Sequence, residues 1–511
     1  MVADDQVPPS RIPSDSSRDS EAGAGWECGR AGSFVDLLPS AGQVRQFSWR
    51  HPGVLWRSRN DWVAKAFGDP SNAVRRAWVR ALRERDPGLS FTMRREAKEF
   101  SFLLLGDTGE GDRSQYAVVP PMLAVGKDTD FMVVCSDVIY PGGDAADYEA
   151  KFFRPYTGYP APIYAIPGNH DWYDGLRGFM RAFCDLGGAH DPSWRGPLGR
   201  AARLLWRRPG PADDGELAAA RERYRGEEGQ RAFQPGPYWA IDSPSLRVIG
   251  IDTGITGGID RDQAAWLREV SAGPKPKLLL TGKPLIVDDQ VRPGPIEGER
   301  GTVHDIVADP AHHYVAVIGG DIHNYQRYSR TLEDGRTIEY VVAGGGGAFM
   351  HATHTIPKTT VVPEDAFRCY PLRGDSLSRY SRLYAQWLRM KWLALDPGEA
   401  AAAVADRLDM GTTRASARDL RPSRRARLVA ALLGVPYRHR PRPRLLRLPV
   451  RRLPQRFRSE FADWDRPPFF KSFLRLDVTG DTLTISCYGV SGCGEQEDRP
   501  PCEDRVTIRL R

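Results

Sequence analysis

Residues 100–109 have the sequence FSFLLLGDTG, an apolar run that stops at a glycine and is followed at once by Asp107. A short apolar run bounded by glycine and polar residues is typical of a buried strand. Similar runs occur at 131–136, 161–167, 246–252, 277–281, 313–319 and 338–343. Several of the stretches between them have helical spacing. This alternation predicts an α/β fold whose core begins near Glu99.

Four of these runs end in polar clusters. In an open α/β sheet, ligands gather beyond the carboxyl ends of the strands, so these clusters are expected to meet in space. Carboxylate, amide and imidazole donors suit Mn²⁺, Fe or Zn²⁺ better than a thiolate site would. The pattern therefore predicts a metal centre. The candidate side chains are Asp107, Asp137, Tyr140, Asn169, His170, Asp171, Asp321 and His323.

The chemistry of such a centre suggests roles for three of these residues. Asp137 lies at a central strand end, where a carboxylate can bridge two cations. Two cations would lower the pKa of a shared water and supply hydroxide at neutral pH for attack on phosphorus. His170 is expected to protonate the leaving oxygen, and Asp171 to hold that imidazole in the required tautomer.

The order of the clusters, GD-x-G, D-x-x-Y, GNHD and G-x-x-H, resembles the calcineurin-like metallophosphoesterase superfamily. The D-x-G and D-x-x-Y details resemble its purple acid phosphatase branch. The likeness covers roughly residues 99–350 and the closing strands, and it implies a four-layer α/β/β/α sandwich.

The same resemblance implies a ligand set. Asp107, Asp137, Tyr140 and His323 would hold the first metal. Asp137 would bridge to a second metal, which Asn169 also binds. In that branch a tyrosine phenolate binds ferric iron. Tyr140 therefore implies a pair of metal ions in which one is Fe and the other is Mn, Zn or Fe.

The sequence departs from the family pattern at the second metal. The family expects a histidine after the strand at 277–281, and Gly282 stands there. The family also expects a histidine where this chain has Asp321, which remains a candidate ligand. Lys283 is predicted to supply positive charge to a phosphate, partly substituting for the cation. His351 and His354 follow a run of four glycines and are weaker candidates.

Composition separates the remaining segments. The N-terminus is rich in Pro, Ser and Asp, which is typical of disorder. Asp260 is expected to begin a helix, and Thr479, Gly480 and Asp481 predict a hairpin. The predicted segments are a disordered tail at 1–25, a helical N-terminal extension at 26–98, the core at 99–356 with a lid-like insert at 176–236, an Arg- and Trp-rich insert at 357–466 and closing strands of the core at 467–511.

Charge and cysteine usage bear on partners and location. The net charge of +7 arises largely between residues 418 and 458, which hold fourteen arginines. Two functional interpretations are open for this segment: contact with an anionic membrane surface or with a nucleic acid. The alternative, which we favour, is a solvated loop. The seven cysteines and the absence of an apolar N-terminal leader predict mostly reduced thiols and a cytoplasmic protein, with a peripheral membrane location left open. The sequence predicts no oligomeric state.

Together these features predict a metal-dependent enzyme that hydrolyses a phosphate ester. The competing hypothesis is a catalytically degenerate relative that binds a metal or a phosphate compound, because Gly282 and Asp321 alter the second site. A nucleic-acid phosphodiesterase that uses the basic segment is a third hypothesis.

Overall fold

The computed structural model describes residues 28–39, 51–192, 194, 196–208, 213–411, 420–440, 448 and 467–510. The predicted disordered tail at 1–25 lies outside these described residues, as does much of the basic segment at 418–458.

Two mixed β-sheets form the body of the protein. The strands are β1 (Thr92–Arg94), β2 (Phe100–Leu105), β3 (Phe131–Cys135), β4 (Ile163–Ile166), β5 (Trp239–Asp242), β6 (Arg247–Ile251), β7 (Lys277–Thr281), β8 (Ile286–Val287), β9 (Gln290–Val291), β10 (Tyr314–Gly319), β11 (Tyr325–Thr331), β12 (Thr337–Ala343), β13 (Phe367–Tyr370), β14 (Lys471–Thr479), β15 (Thr482–Val490) and β16 (Cys502–Arg509). The six-stranded sheet has the order β16-β15-β14-β2-β3-β4, and the eight-stranded sheet has the order β1-β5-β6-β7-β10-β12-β11-β13. Strands β8 and β9 form a separate ribbon.

The seven apolar runs that predicted strands are confirmed as β2, β3, β4, β6, β7, β10 and β12. The predicted closing hairpin is also confirmed, because β14 and β15 pair antiparallel around a turn at Gly480. Strands β1, β11 and β13 carry no continuous apolar run, and the run in β5 is only three residues long, Trp239 to Ile241. These four strands were not predicted.

Helices cover the sheets and connect their strands. Asp260 was predicted to begin a helix, and its side chain accepts hydrogen bonds from the backbone N–H groups of Asp262 and Gln263. The helices among the described residues are α1 (Phe34–Leu37), α2 (Pro52–Arg57), α3 (Asn60–Phe67), α4 (Ser71–Arg85), α5 (Arg113–Tyr116), α6 (Val119–Gly126), α7 (Arg177–Cys184), α8 (Gly196–Leu205), α9 (Asp214–Arg225), α10 (Arg261–Ser271), α11 (Val303–Ala308), α12 (Arg373–Trp387), α13 (Pro397–Leu408) and α14 (Arg424–Leu432).

The largest apolar cluster joins the two sheets. Phe102 and Val133 of the six-stranded sheet belong to the same buried cluster as Val248 and Leu280 of the eight-stranded sheet. Residues of α12, α13 and α14 also enter this cluster, for example Tyr384. Part of the predicted insert at 357–466 therefore belongs to the core, and its strand β13 pairs with β11 of the eight-stranded sheet.

Helices also pack against the other faces of the strands. A second cluster joins β2 to β4 with α4, α6 and α7, and a third joins β6, β7 and β10 with α10 and α11. Burial of these apolar surfaces supplies most of the driving force for folding.

A buried ion-pair network ties the N-terminal helices to the core. Arg75 on α4 is fully buried and donates hydrogen bonds to Asp252 at 2.7 Å and to Asp260 at 2.8 Å. The Trp172 indole N–H donates to the second carboxylate oxygen of Asp252 at 2.9 Å. Trp172 lies in the turn that carries the GNHD cluster, so this network links α4 to the strand end at β4.

One disulfide joins distant parts of the chain. Cys28 bonds to Cys493, while Cys135, Cys184, Cys369, Cys487 and Cys502 are free thiols. Most of the cysteines are thus reduced, as predicted, but the bridge was not foreseen. Across the described residues, the helices are either too short or too polar to cross a bilayer.

Candidate metal centre

Three neighbouring strands bring the first predicted ligands to one edge of the six-stranded sheet. Asp107 follows β2, Asp137 follows β3, and Asn169 and His170 follow β4. Because β3 pairs in parallel with both β2 and β4, the three strands end on the same side. This is the edge where ligands bind in open α/β sheets.

The eight-stranded sheet supplies the rest of the cluster. Lys283 follows β7, while Asp321 and His323 follow β10, the parallel neighbour of β7. The backbone N–H of Asp321 donates to Oδ2 of Asp107 at 2.9 Å. The strand ends of the two sheets therefore meet at this point.

Three of the carboxylate residues occupy a strained backbone conformation. Asp107, Asp137 and Asp321 have φ values of 58°, 43° and 67°. Positive φ is uncommon for residues with a side chain, although Asp tolerates it better than most. Strain of this kind concentrates at functional sites, where turning the chain sharply aims a side chain.

The phenolic oxygen of Tyr140 contacts the other three side chains of the first group of ligands, which are Asp107, Asp137 and His323. It donates to Oδ2 of Asp137 at 2.9 Å and contacts Oδ1 of Asp107 at 3.2 Å. It also lies 3.1 Å from Nε2 of His323. Tyr140, Asp107 and His323 are at most 5% exposed. The three other side chains predicted to share one cation thus all contact this buried oxygen.

These donors fit a transition-metal cation. Two ligand atoms that lie about 2.1 Å from a metal at right angles are about 3 Å apart. The three contacts of the Tyr140 oxygen have this spacing. The ligand atoms of Asp107, Asp137 and His323 do not all lie within 4.8 Å of one another. Two carboxylates, a phenol and an imidazole match the hard and borderline donors that Fe, Mn and Zn accept.

His323 is held in the tautomer that a metal ligand requires. Its Nδ1 lies 2.7 Å from the carbonyl oxygen of Phe349, and its backbone N–H donates to Nδ1 of His351 at 2.9 Å. Donation from Nδ1 leaves Nε2 as the acceptor facing Tyr140. Burial, followed by the neighbouring His351, lowers the pKa of His323 well below its usual value, so the imidazole is neutral.

Asn169, Asp321 and Lys283 form an adjacent polar group. The Lys283 ammonium donates to Oδ1 of Asn169 at 3.2 Å and to Oδ1 of Asp321. The amide nitrogen of Asn169 donates to the Tyr173 hydroxyl at 2.8 Å, which turns the amide oxygen toward Lys283. Burial is the largest single effect and lowers the pKa of the ammonium. The charge and hydrogen bond of Asp321, together with the charge of Asp137, outweigh it, so the pKa is raised.

Negative charge accumulates in the cluster. Burial, with the charge of Asp137, raises the pKa of Asp107 well above its usual value. Burial and the charge of Asp321 raise the pKa of Asp137 to about 6. Burial raises the pKa of Asp321 as well, but the adjacent Lys283 outweighs this effect and holds that pKa below its usual value. Carboxylates crowded together in this way favour cation binding.

His170 and Asp171 are both buried beside the cluster. Nδ1 of His170 lies 2.9 Å from the carbonyl oxygen of Pro141, and its backbone N–H donates to Oδ1 of Asp137 at 2.8 Å. The Asp171 carboxylate accepts backbone N–H bonds from Val138 at 3.0 Å, Ile139 at 3.1 Å and Gly168 at 2.9 Å.

These contacts differ from the role expected for Asp171. The hydrogen-bond partner of His170 Nδ1 is the Pro141 carbonyl oxygen. Asp171 instead accepts hydrogen bonds from the backbone of the two ligand-bearing loops. Burial, and then the charge of Asp137, raises the pKa of Asp171 to about 8.

The N-terminal extension forms part of the surroundings of the site. Val54 of α2 belongs to a small apolar cluster with Tyr140 and Phe349. Asn60 of α3 donates to the carbonyl oxygen of Tyr173 at 2.7 Å. The predicted lid insert reaches the same region through Arg207, whose guanidinium pairs with Asp144 beside the Pro141 loop.

Sequence reasoning missed some of the supporting residues. Tyr173 lies four positions after Asn169, a spacing that could have suggested a contact, but Phe349 carries no such signal. Of the two weaker candidates, His351 contacts the His323 backbone. His354 is buried elsewhere, against Ser376 and the Leu433 carbonyl.

Comparison with known proteins places a family domain over this region. Residues 100–325 match the model of the calcineurin-like phosphoesterase family. This span contains Asp107, Asp137, Asn169 and His323. Members of this family typically bind two metal ions. No curated protein matches the chain.

Among solved structures, a purple acid phosphatase from yellow lupin (Lupinus luteus) seeds is 12% identical, with a TM-score of 0.35 over 81% of this chain and 54% of the lupin chain. The chain thus spans about half the length of that protein. GAP50, the anchor in the inner membrane complex of Plasmodium, is 10% identical, with a TM-score of 0.29 over 50% of this chain and 74% of its own. PhoD is 13% identical, with a TM-score of 0.31 over 54% and 62% of the two chains.

Proposed function

We propose that this protein is a metal-dependent phosphoesterase that hydrolyses a phosphate ester. The observation that carries the proposal is the convergence of Asp107, Asp137 and His323 on the phenolic oxygen of Tyr140. The match of residues 100–325 to the calcineurin-like phosphoesterase family supports the same reaction class. The proposal includes the four-layer α/β/β/α arrangement, which agrees with helices packing on the outer faces of both sheets.

The first metal position is assigned to Asp107, Asp137, Tyr140 and His323. A cation of Fe, Mn or Zn held there supplies a Lewis acid that activates water toward phosphorus. The second ion that the sequence predicts would have Asn169, Asp137 and Asp321 as its candidate ligands. Its presence, and its identity within the Fe, Mn and Zn set, stay predictions.

His170 is the proposed general acid. Its Nδ1–H is engaged by the Pro141 carbonyl, which fixes the ring and directs Nε2 to proton exchange with the leaving oxygen. Asp171 positions His170 and Asp137 through the backbone bonds it accepts. Lys283 is the proposed contact for a phosphoryl oxygen, since its ammonium lies beside Asn169 within the cluster.

The test is hydrolysis of aryl phosphate mono- and diesters by the purified protein, loaded in turn with Mn²⁺, Zn²⁺ and Fe. Asp137→Ala should abolish both metal binding and turnover. His170→Gln should retain the metal and lower kcat by about 10²- to 10⁴-fold, more for poor leaving groups than for good ones. Absence of turnover with every metal and both ester classes would reject the enzyme.

A non-catalytic relative is the second candidate. The observation in its favour is the ammonium of Lys283 among the second-site residues, where Gly282 offers no ligand. Such a protein would bind a metal and a phosphorylated compound without releasing alcohol. Retention of intact aryl phosphate by the metal-loaded protein in equilibrium dialysis would support this alternative.

The basic segment at 418–458 is proposed as a contact for an anionic partner, either a membrane surface or a nucleic acid. Within its described part, Arg425 pairs with Glu399, Arg427 with Asp406, and Arg438 lies near Asp409. Eight of its fourteen arginines lie outside the described residues. Binding that weakens steeply with salt and disappears on deletion of 441–458 would support this contact.

A further inference from the structure

The second half of the metal centre already contains a cation. Asn169 and Asp321 are the side chains that distinguish the second metal position from the first. Both direct an oxygen to the same donor, Nζ of Lys283. The ammonium is therefore bound by the groups that would otherwise face a second metal ion.

Neighbouring contacts hold this arrangement in place. The hydrogen bond from Asn169 to Tyr173 presents the amide oxygen, not the nitrogen, to Lys283. The Lys283 stem runs past Gly257, where an added Cβ would lie 3.2 Å from Cδ of the lysine. The lysine side chain is 24% exposed, so its ammonium remains within reach of a ligand.

The chain also lacks the room to complete a second metal site. Gly282 stands where the family places a histidine ligand. A Cβ at this position would lie 2.8 Å from the carbonyl oxygen of Pro167 and 3.0 Å from Oγ1 of Thr253. Both neighbours belong to packed strand ends, so a side chain at position 282 would require the backbone to move.

The ammonium also occupies the place of a second metal ion. Nζ of Lys283 donates to Oδ1 of Asp321 and to Oδ1 of Asn169. A second cation bound by the same two oxygens would lie next to a like charge, which is unfavourable.

We propose that this centre binds a single transition-metal ion and that the Lys283 ammonium takes the place of the second cation, where it binds an oxygen of a tetrahedral phosphoryl group. This inference rests on the proposed function for the identity of the ligand, but the number of metal ions can be measured without turnover.

The first measurement is the metal count of the full-length protein after equilibrium dialysis against Mn²⁺ alone. One ion per chain is expected, with the electron paramagnetic resonance spectrum of an isolated Mn²⁺. Two ions per chain, or the spectrum of a coupled pair, would overturn the inference, as would the absence of bound Mn²⁺.

The second measurement is binding of inorganic phosphate to the Mn²⁺-loaded protein by calorimetry. Lys283→Ala should raise Kd by about 30-fold or more, because removing one partner of a largely buried charge contact costs more than about 2 kcal/mol. Lys275→Ala is the matched control, since Lys275 pairs with Asp242 at 2.8 Å at the opposite end of β7. An unchanged Kd in Lys283→Ala would overturn the role of the ammonium.

The outcomes separate this inference from the proposed function. One bound ion with Lys283-dependent phosphate binding but no ester hydrolysis would support the inference and reject the enzyme. Ester hydrolysis by a protein that holds two metal ions would support the enzyme and reject the inference.

Discussion

The phenolic oxygen of Tyr140 lies 3.1 Å from Nε2 of His323, although the two residues are 183 positions apart in the chain. Tyr140 follows a strand of the six-stranded sheet, and His323 follows a strand of the eight-stranded sheet. Their contact therefore depends on the packing of the two sheets against each other. A ligand pair that bridges two sheets links metal binding to the integrity of the inter-sheet core.

The first prediction concerns Tyr140. With ferric iron bound, a phenolate ligand gives a charge-transfer band in the visible spectrum, and Tyr140→Phe should abolish it. Because Phe keeps the ring in the cluster with Val54 and Phe349, the fold should be preserved. Tyr173→Phe is the control, since the Tyr173 hydroxyl accepts a hydrogen bond from the Asn169 amide at 2.8 Å. A visible band that persists in Tyr140→Phe would exclude the phenolate from the site.

The second prediction concerns pH. Burial and Asp321 raise the pKa of Asp137 from 3.8 to about 6, and burial and Asp137 raise the pKa of Asp107. The folded metal-free protein therefore binds protons that the unfolded chain releases. This stabilising contribution is complete below about pH 4 and is lost as the pH rises through about 6. For Asp137 alone the loss is about 3 kcal/mol.

A bound cation takes the place of these protons. Mn²⁺ should therefore raise the unfolding midpoint more at about pH 7.5 than at about pH 5, measured by thermal denaturation at both values. Near neutral pH the metal-free Asp137→Asn variant should be more stable than the metal-free native protein. Mn²⁺ should raise the unfolding midpoint of this variant by less than it raises that of the native protein. A metal-free protein that becomes more stable between about pH 4 and pH 7 would contradict this assignment.

The third prediction concerns the buried arginine of α4. Arg75→Met leaves the carboxylates of Asp252 and Asp260 buried without their cation, which should cost about 3–5 kcal/mol of unfolding free energy. Arg76→Met is the control on the same helix. Its pair with Glu297 is about one third exposed on both sides, so its loss should cost at most about 1 kcal/mol. Equal effects in urea denaturation would show that the helical extension is not part of the cooperative unit.

The fourth prediction concerns the disulfide. Thiol titration in denaturant should find five free thiols in the native protein and seven after reduction. Cys493→Ser should lower stability by about 2–5 kcal/mol, since it removes a cross-link between residues 465 positions apart. Cys502→Ser, which removes a free thiol, is the control. Seven titratable thiols without reductant would contradict the bridge.

The sequence predicted the strands because their apolar runs are buried on both faces, as in β2, where Phe102 and Leu103 belong to different buried clusters. The same runs located Asp107, Asp137 and Asn169, since ligands in this fold follow directly on strand ends. The contact of Lys283 with Asn169 joins residues 114 positions apart, and only the packing of two sheets determines it. The disulfide partner of Cys493 could not be predicted either, because no local sequence pattern links Cys493 to Cys28.

The last prediction concerns Gly282, where the family pattern places a histidine. An added Cβ would lie 2.8 Å from the Pro167 carbonyl oxygen, so Gly282→Ala should lower stability by about 1–3 kcal/mol. Gly88→Ala is the control, because the nearest atom to a Cβ there is Asp86 Oδ1 at 3.5 Å. That exposed change should stay within about 0.5 kcal/mol.

Gly282→His should therefore fail to restore a second metal position while Lys283 remains. Its imidazole would need space that the strand ends after β4 and β6 already fill, through Pro167 and Thr253. The ammonium would still engage Asn169 and Asp321. The Mn²⁺ count of this variant should equal that of the native protein, with a lower melting temperature. A variant of native stability that binds one additional Mn²⁺ would show that the glycine, and not the lysine, is what limits the site.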